Sequence, residues 1–173
     1  MTQHIFQDNW TFWLVIFNYA PKQQQQYQIE EIVTVNSVEN FYNYYKEMPK
    51  IAEIKCANYK KASIALFKKS IKPAWEDENN ADGQSICFLV SSQNVDKVWY
   101  DLMLLAVGGD LQKIVGTNNL CGIIVGPKVD DQYGVEIWTK RNIDNPEDVK
   151  ANILESLEIG NLAPKIIFKS HRQ

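Results

Sequence analysis

The chain has 173 residues, 45% hydrophobic and 12% aromatic, enough for one core and too few for two full domains. Its 18 basic and 21 acidic residues give a formal charge of -3, which argues against a broad basic face gripping long stretches of phosphate backbone but leaves room for a small nucleotide site. Cys56, Cys87 and Cys121 are odd in number and widely spaced, with only His4 and His171 to help, so neither a disulfide framework nor a zinc site is expected, and no cofactor or metal is implied.

The opening MTQHIFQDNW lacks the basic region and cleavage site of a signal peptide, and TFWLVIFNYA is about half the length that spans a bilayer. The expectation is a single domain over 1–173, off the membrane, monomeric alone, and cytoplasmic or nuclear. WTFWLVIFNY at 10–19 is dense in aromatic and β-branched residues and predicts a buried strand, with IEEIVTV at 29–35 as its partner across the Gln23–Gln26 loop. Asn36, with Glu39 three residues on, predicts a helix start, followed by Val38, Phe41, Tyr42 and Tyr45 at helical spacing until Pro49.

Strands are expected near 63–68 and 85–90, and a second helix over 95–107 stopped by Gly108-Gly109. CGIIV at 121–125 and VEIWT at 135–139 flank the turn-like GPKVDDQYG. A third helix starts at Asn145 with Pro146 in its first position and is closed by Gly160; KIIFK at 165–169 is a last strand. Hairpin-like connections make this an α+β fold, an antiparallel sheet with three helices on one face.

A site then belongs on the sheet's other face. In VEIW, alternation sends Val135 and Ile137 one way and Glu136 and Trp138 the other; the apolar pair suits the helices, so Trp138 is expected on the open face. Trp75 stands in IKPAWEDENNADG, a loop by composition, immediately before Glu76. Taken alone, Trp75 reads as a core plug and Glu76, Asp77 and Glu78 as a solvated charge run. The pair also suits one ligand. A guanine edge offers two donors that one carboxylate can accept, and N7 methylation makes the ring a cation that stacks strongly on indole, about 2 kcal/mol when desolvated.

At these residues the chain resembles a family: IALFKKSIKPAWEDENNADG is similar to the LFK..I.PMWEDE.N..GG signature of the cap-binding translation initiation factor 4E family. HIFQDNWTFW, SVENFY, DKVWYDLMLLAVGG, CGIIV, EIWTK and PKIIFKSH match in the same order, so the resemblance spans nearly the whole chain. It implies a curved antiparallel sheet of about eight strands with three helices on the convex face, and the 7-methylguanosine cap of mRNA bound in the concave one. It matches Trp75 to the stacking indole, Glu76 to the guanine-edge carboxylate, Trp138 to the indole at the methyl group and Lys128 to a phosphate contact. The second stacking aromatic falls at 20–28, with Tyr27 the nearest candidate and Tyr19 a poorer one. Asp130 and Asp131 stand where the family tends to place cations, which predicts weaker phosphate binding; Lys140 is a candidate to compensate but reads first as a solvated surface lysine.

The helix at 95–107 is apolar on two sides: Val95, Val98, Trp99, Leu102 and Ala106 form a core stripe, and Tyr100, Leu104 and Val107 lie roughly opposite, beside Asp101. The resemblance implies that scaffold or repressor proteins dock a Tyr-x-x-x-x-Leu-hydrophobic helix on Ile5, Val38, Tyr42, Tyr100, Asp101 and Leu104. Two functions follow: a cap-binding factor that recruits capped mRNA to a scaffold, or a cap-weak regulatory homologue that competes for partners. An enzyme is not expected, since Glu76, Asp77 and Glu78 lack a second acidic cluster or a Gly-rich phosphate loop.

Overall fold

The structure is a computed structural model that describes residues 3–19, 26–56, 60–162 and 164–172. Strands β1 (Ile5–Asn18), β2 (Gln26–Ser37), β3 (Lys60–Lys68), β4 (Gln84–Ser91), β5 (Leu120–Pro127), β6 (Gln132–Thr139) and β7 (Ile167–Ser170) form one antiparallel sheet in the order β2-β1-β3-β5-β6-β4-β7. Helices α1 (Val38–Glu47), α2 (Ser92–Gly108), α3 (Asp110–Val115) and α4 (Pro146–Ser156) complete the described secondary structure, with short 3-10 turns at Ile51–Glu53 and Gly160–Leu162. Among the described residues the sheet thus has seven strands where about eight are expected, and a fourth helix, the six-residue α3, follows Gly109. None of the described helices is long and apolar enough to cross a membrane.

Alternation divides the apolar residues between two cores. Trp10 and Phe12 of β1, Leu66 of β3 and Val135 and Ile137 of β6 pack toward Val98, Trp99 and Leu102 of α2. Trp13 and Val15, Ala65 and Phe67, and Trp138 sit on the opposite face in a smaller core with Ile71 and Cys121. The expectation from VEIW holds: Val135 and Ile137 face the helices, and Trp138 faces away.

Helix boundaries differ where capping chemistry decides. Ser37, not Asn36, caps α1: its Oγ accepts the Asn40 N–H at 3.2 Å, while Asn36 Oδ1 accepts from the Asn40 side chain at 3.0 Å. Glu39 turns instead to the N-terminal segment, accepting from the His4 backbone N–H at 3.1 Å and meeting His4 Nδ1 at 2.6 Å; the His4 side-chain contact, first, holds its carboxyl down to about 2. Gly109, left-handed at φ 89, ends α2 as the sequence predicts. Asn145 and Pro146 open α4, but that helix ends at Ser156, and Gly160 begins the following 3-10 turn.

Candidate functional site

On the face away from the helices lies a cleft of about 410 Å³. Val15 and Phe17 of β1, Tyr27 and Ile29 of β2, Lys61 and Ser63 of β3, Ile124 of β5, and Glu136 and Trp138 of β6 form its sheet side. Pro73, Ala74, Trp75 and Glu76 close it from the loop between β3 and β4. Four residues singled out from the sequence, Tyr27, Trp75, Glu76 and Trp138, meet there.

The loop is built inward from its polar residues. Asn80, fully buried, donates through Nδ2 to the carbonyls of Lys72 at 2.7 Å and Ala74 at 2.8 Å, the residues that bracket Pro73 and precede Trp75. Asp77 accepts the backbone N–H of Lys72 and of Asn79, each at 2.9 Å. Burial pushes its carboxyl up, but these hydrogen bonds prevail and hold it below the usual range. The acids at 76–78 are therefore not one solvated run: Asp77 is spent on the loop, while Glu76 and Glu78 remain exposed. At the loop's end, a Cβ on Gly83 would stand 1.7 Å from the Thr139 carbonyl oxygen, so only glycine allows this approach to β6. With the backbone so fixed, Trp75 is not a core plug; its side of the loop leaves it 52% exposed.

Trp138 is 5% exposed and set from three sides. Its ring meets Phe67 edge-on at 5.6 Å and His171 at 4.5 Å, and its Nε1–H donates to Glu136 Oε2 at 3.0 Å. His171 is itself held between Ser85 Oγ at 2.6 Å and the Asn80 carbonyl at 2.7 Å. Tyr27 lies opposite Phe17 in the β1–β2 register, ring centroids 4.7 Å apart, and is 61% exposed. Burial first, then the charges of Glu136 and Glu76, push its hydroxyl above the usual range, with Lys128 acting against them. Tyr19 does not line the cleft; its ring stands 6.1 Å from Phe17. The rest of the expected 20–28 loop, residues 20–25, lies outside the described residues.

Lys128 follows β5, its Cε lying 2.4 Å from where a Gly134 Cβ would be, so glycine lets it cross β6. The acids after it have a backbone role. Asp130 and Asp131 both have positive φ, 55° and 56°, at the centre of a turn closed by Gln132 N–H to the Val129 carbonyl at 3.2 Å. Asp tolerates that conformation better than most residues. Asp131 then pairs with Lys55 Nζ at 3.1 Å and with the hydroxyl of Ser92, contacts that hold its carboxyl below the usual range, Ser92 first. The expected repulsion of phosphate by this residue is thereby offset. Lys140 belongs to a different hollow, with Asp8, Asn9 and Lys68.

On the helix side, Ile5, Val38, Tyr42 and Leu104 are exposed, and Tyr100 and Asp101 half-buried. Ile5 and Val38 are joined through the β1–β2 register at Ser37 and the Val38 N–H to the His4 carbonyl at 2.9 Å. Tyr45 of α1 meets Tyr100 of α2 with ring centroids 4.7 Å apart, linking the two helices. Asp101 pairs with Lys97 at 2.6 Å. Val107, expected on the outer stripe, is buried in the core instead, because it follows Met103 rather than Leu104 around α2.

The family model for eukaryotic initiation factor 4E matches residues 5–173. The chain belongs to the eukaryotic initiation factor 4E family. It is 25% identical over 168 residues to translation initiation factor 4E1 of Drosophila melanogaster, covering 92% of this chain and 61% of that protein's length. It is 24% identical over 174 residues to initiation factor 4E of Candida albicans, covering 98% and 80%. Among solved structures, Ascaris suum eIF4E-3 in complex with an m2,2,7G cap aligns at a TM-score of 0.82 and 21% identity, over 99% of this chain and 93% of that one. Caenorhabditis elegans eIF4E-3 with the 4E-binding protein Mextli and a cap analogue aligns at 0.80 and 22%, over 98% and 94%. These likenesses establish the 4E fold for the chain.

Two charged side chains in this 4E-type cleft, Lys61 and Glu136, were not singled out from the sequence as ligand contacts. The alternation that exposed Trp138 also exposes Glu136. Lys61 shares its face of β3 with Ser63, Ala65 and Phe67, but only once the strand is seen to begin at Lys60 rather than 63.

Proposed function

We propose that the chain binds the 7-methylguanosine cap of mRNA in this cleft and recruits capped mRNA to a scaffold protein in translation initiation, as a binding factor and not an enzyme. One observation carries the reading: Tyr27 and Trp75, two aromatic rings each more than half exposed, stand on different elements of one cleft with a carboxylate, Glu76, beside the indole. Leaving two such rings in water is costly unless a flat ligand covers them. In this reading Trp75 and Tyr27 stack on the base, Glu76 accepts from its Watson–Crick edge, Trp138 meets the methyl group and Lys128 contacts phosphate. The solved relatives' cap complexes support the ligand, and those with Mextli and 4E-BP support a protein partner. That partner would present a Tyr-x-x-x-x-Leu-hydrophobic helix to Ile5, Val38, Tyr42, Tyr100, Asp101 and Leu104.

Titration with m7GTP and with GTP, read by tryptophan fluorescence, tests the assignment. The expected result is saturable quenching by m7GTP and binding of GTP at least about tenfold weaker, because only the methylated ring is a cation. Equal binding of the two nucleotides overturns the cap assignment. No binding of either, with the helical peptide still bound, transfers the reading to a regulatory homologue that acts through its partners.

A further inference from the structure

We propose that Lys61, in the cleft, and Lys128, beside it, together form one anion site, taking a phosphate of the chain attached to the stacked base, with Lys61 as a specificity-determining residue for phosphorylated ligands. This rests on the cap-binding reading and adds to it a cation from β3, a strand that no motif marked for phosphate.

The geometry sets the two ammonium groups against each other. Lys61 stands opposite Phe17 in the β1–β3 register and lines the cleft, half-buried. Lys128 reaches across Gly134 from the neighbouring hairpin. Gly134 stands opposite Gly126, and a Cβ on Gly126 would meet Ser63, two residues from Lys61 on the same face of β3, so the two lysines share one end of the sheet face; burial, and after it the Lys128 charge and contact, bring the Lys61 ammonium down to about 8. Lys55, Lys68, Lys97, Lys113 and Lys150 each have a carboxylate partner, whereas among the described residues neither Lys61 nor Lys128 has one.

Nearby acids do not resolve the repulsion. Asp131 is turned to Lys55 and Ser92, and the Glu136 carboxylate, whose Oε2 accepts from Trp138, raises the Lys61 ammonium by less than burial and Lys128 lower it. Two cations with one carboxylate, Glu136, near them, beside exposed aromatic rings, describe a site completed by an anion. A phosphate between them cancels both charges and lets Lys61 hold its proton. The position also supplies charge that the Val129–Gln132 turn cannot, since its two central residues are acids held in left-handed backbone.

The test compares wild type, Lys61→Met and Lys61→Arg against m7guanosine, m7GTP and a short m7G-capped RNA. Lys61→Met is expected to bind m7guanosine as wild type does, to lose about fivefold to twentyfold in m7GTP affinity, and to show a shallower salt dependence. Lys61→Arg restores most of the loss. A melting temperature equal to or above that of wild type for Lys61→Met shows that relief of repulsion, not misfolding, underlies the change. Capped RNA shows the same loss if the phosphates next to the base occupy the site. A loss with RNA alone assigns Lys61 to the RNA backbone and overturns the proposal, as does unchanged m7GTP affinity and salt slope alongside normal m7guanosine binding. Failure of wild type to bind m7guanosine or m7GTP removes the cap reading and this proposal together.

Discussion

The indole Nε1–H of Trp138 donates to Glu136 Oε2 at 3.0 Å, the two residues standing two apart on the cleft face of β6. The bond fixes the ring and also leaves a carboxylate facing the ligand space. For a cationic base that charge is attractive, worth ~1 kcal/mol across partly hydrated space; for a phosphate it is repulsive. Glu136→Gln keeps an acceptor for the indole and removes the charge. Affinity for m7guanosine should fall roughly fivefold, and the ratio of m7GTP to m7guanosine affinity should rise. Calorimetric titration of both ligands checks this; an unchanged ratio would mean that neither the base nor the phosphates feel Glu136.

Trp75 and Glu76 are predicted to fail differently. Trp75→Ala should abolish most of the fluorescence quench with loss of stacking. Glu76→Gln places a donor against the guanine's own donors and should cost ~2 kcal/mol in cap affinity without altering the quench at saturation. Wild-type affinity in Glu76→Gln sinks the base-edge assignment.

Asn80 is predicted to be the structural pivot of the cleft although it is buried and does not line it. Asn80→Ala leaves the Lys72 and Ala74 carbonyls without their donor and should destabilise the fold by about 2 kcal/mol. Urea denaturation measures that loss. Cap titration well below the denaturation midpoint should still show weakened binding, because Trp75 loses its fixed backbone; full affinity there would mean that the loop is held by Asp77 and Gly83 alone.

The pH dependence of phosphate recognition follows from Lys61. Its ammonium, brought down to about 8 by burial and Lys128, faces Glu136 and Cys56, which act the other way, with Tyr27 nearby. Below that value the free protein already carries the proton that phosphate favours. As pH rises through it the proton is lost and must be regained on binding, so triphosphate affinity falls, by at most about tenfold per pH unit. Dividing by m7guanosine affinity cancels titration of the base itself. That ratio should drop between about pH 7 and about pH 9 in wild type and stay flat in Lys61→Arg; a flat wild-type ratio counts against a titrating Lys61.

On the helix side, Leu104→Ala and Tyr42→Ala should each weaken a Tyr-x-x-x-x-Leu-hydrophobic peptide by about tenfold, ~1.4 kcal/mol, and leave m7GTP binding unchanged. Fluorescence anisotropy of a labelled peptide provides the measurement. Equal peptide affinity in wild type and both variants would place docking elsewhere.

What the sequence made legible was what repeats locally. Alternation in VEIW separated Val135 and Ile137 from Trp138, and the Gly108-Gly109 and Asn145-Pro146 pairs marked helix ends. The pairing of an indole with an acid in a loop pointed to Trp75 and Glu76. What it hid depended on partners far along the chain. Asp131 looked like an acid in place of a cation until Lys55, 76 residues away, neutralised it. Asp77 merged with its acidic neighbours because nothing local says which of three carboxylates turns inward. Lys61 looked like a strand-end lysine, since its meaning comes from Lys128 on another hairpin.

The turn at Asp130 and Asp131 governs more than its own charge. Its two left-handed residues set how β5 and β6 come into register, from Pro127 against Tyr133 to Ile124 against Glu136. Side chains of a strand alternate faces with a period of two, so a slip of one residue would bury Glu136 under α2 and deliver Val135 to the cleft. Proofreading of the binding surface therefore resides in a pair of acids outside the cleft lining, and a change of loop length there would rewrite the cleft without altering a single residue inside it.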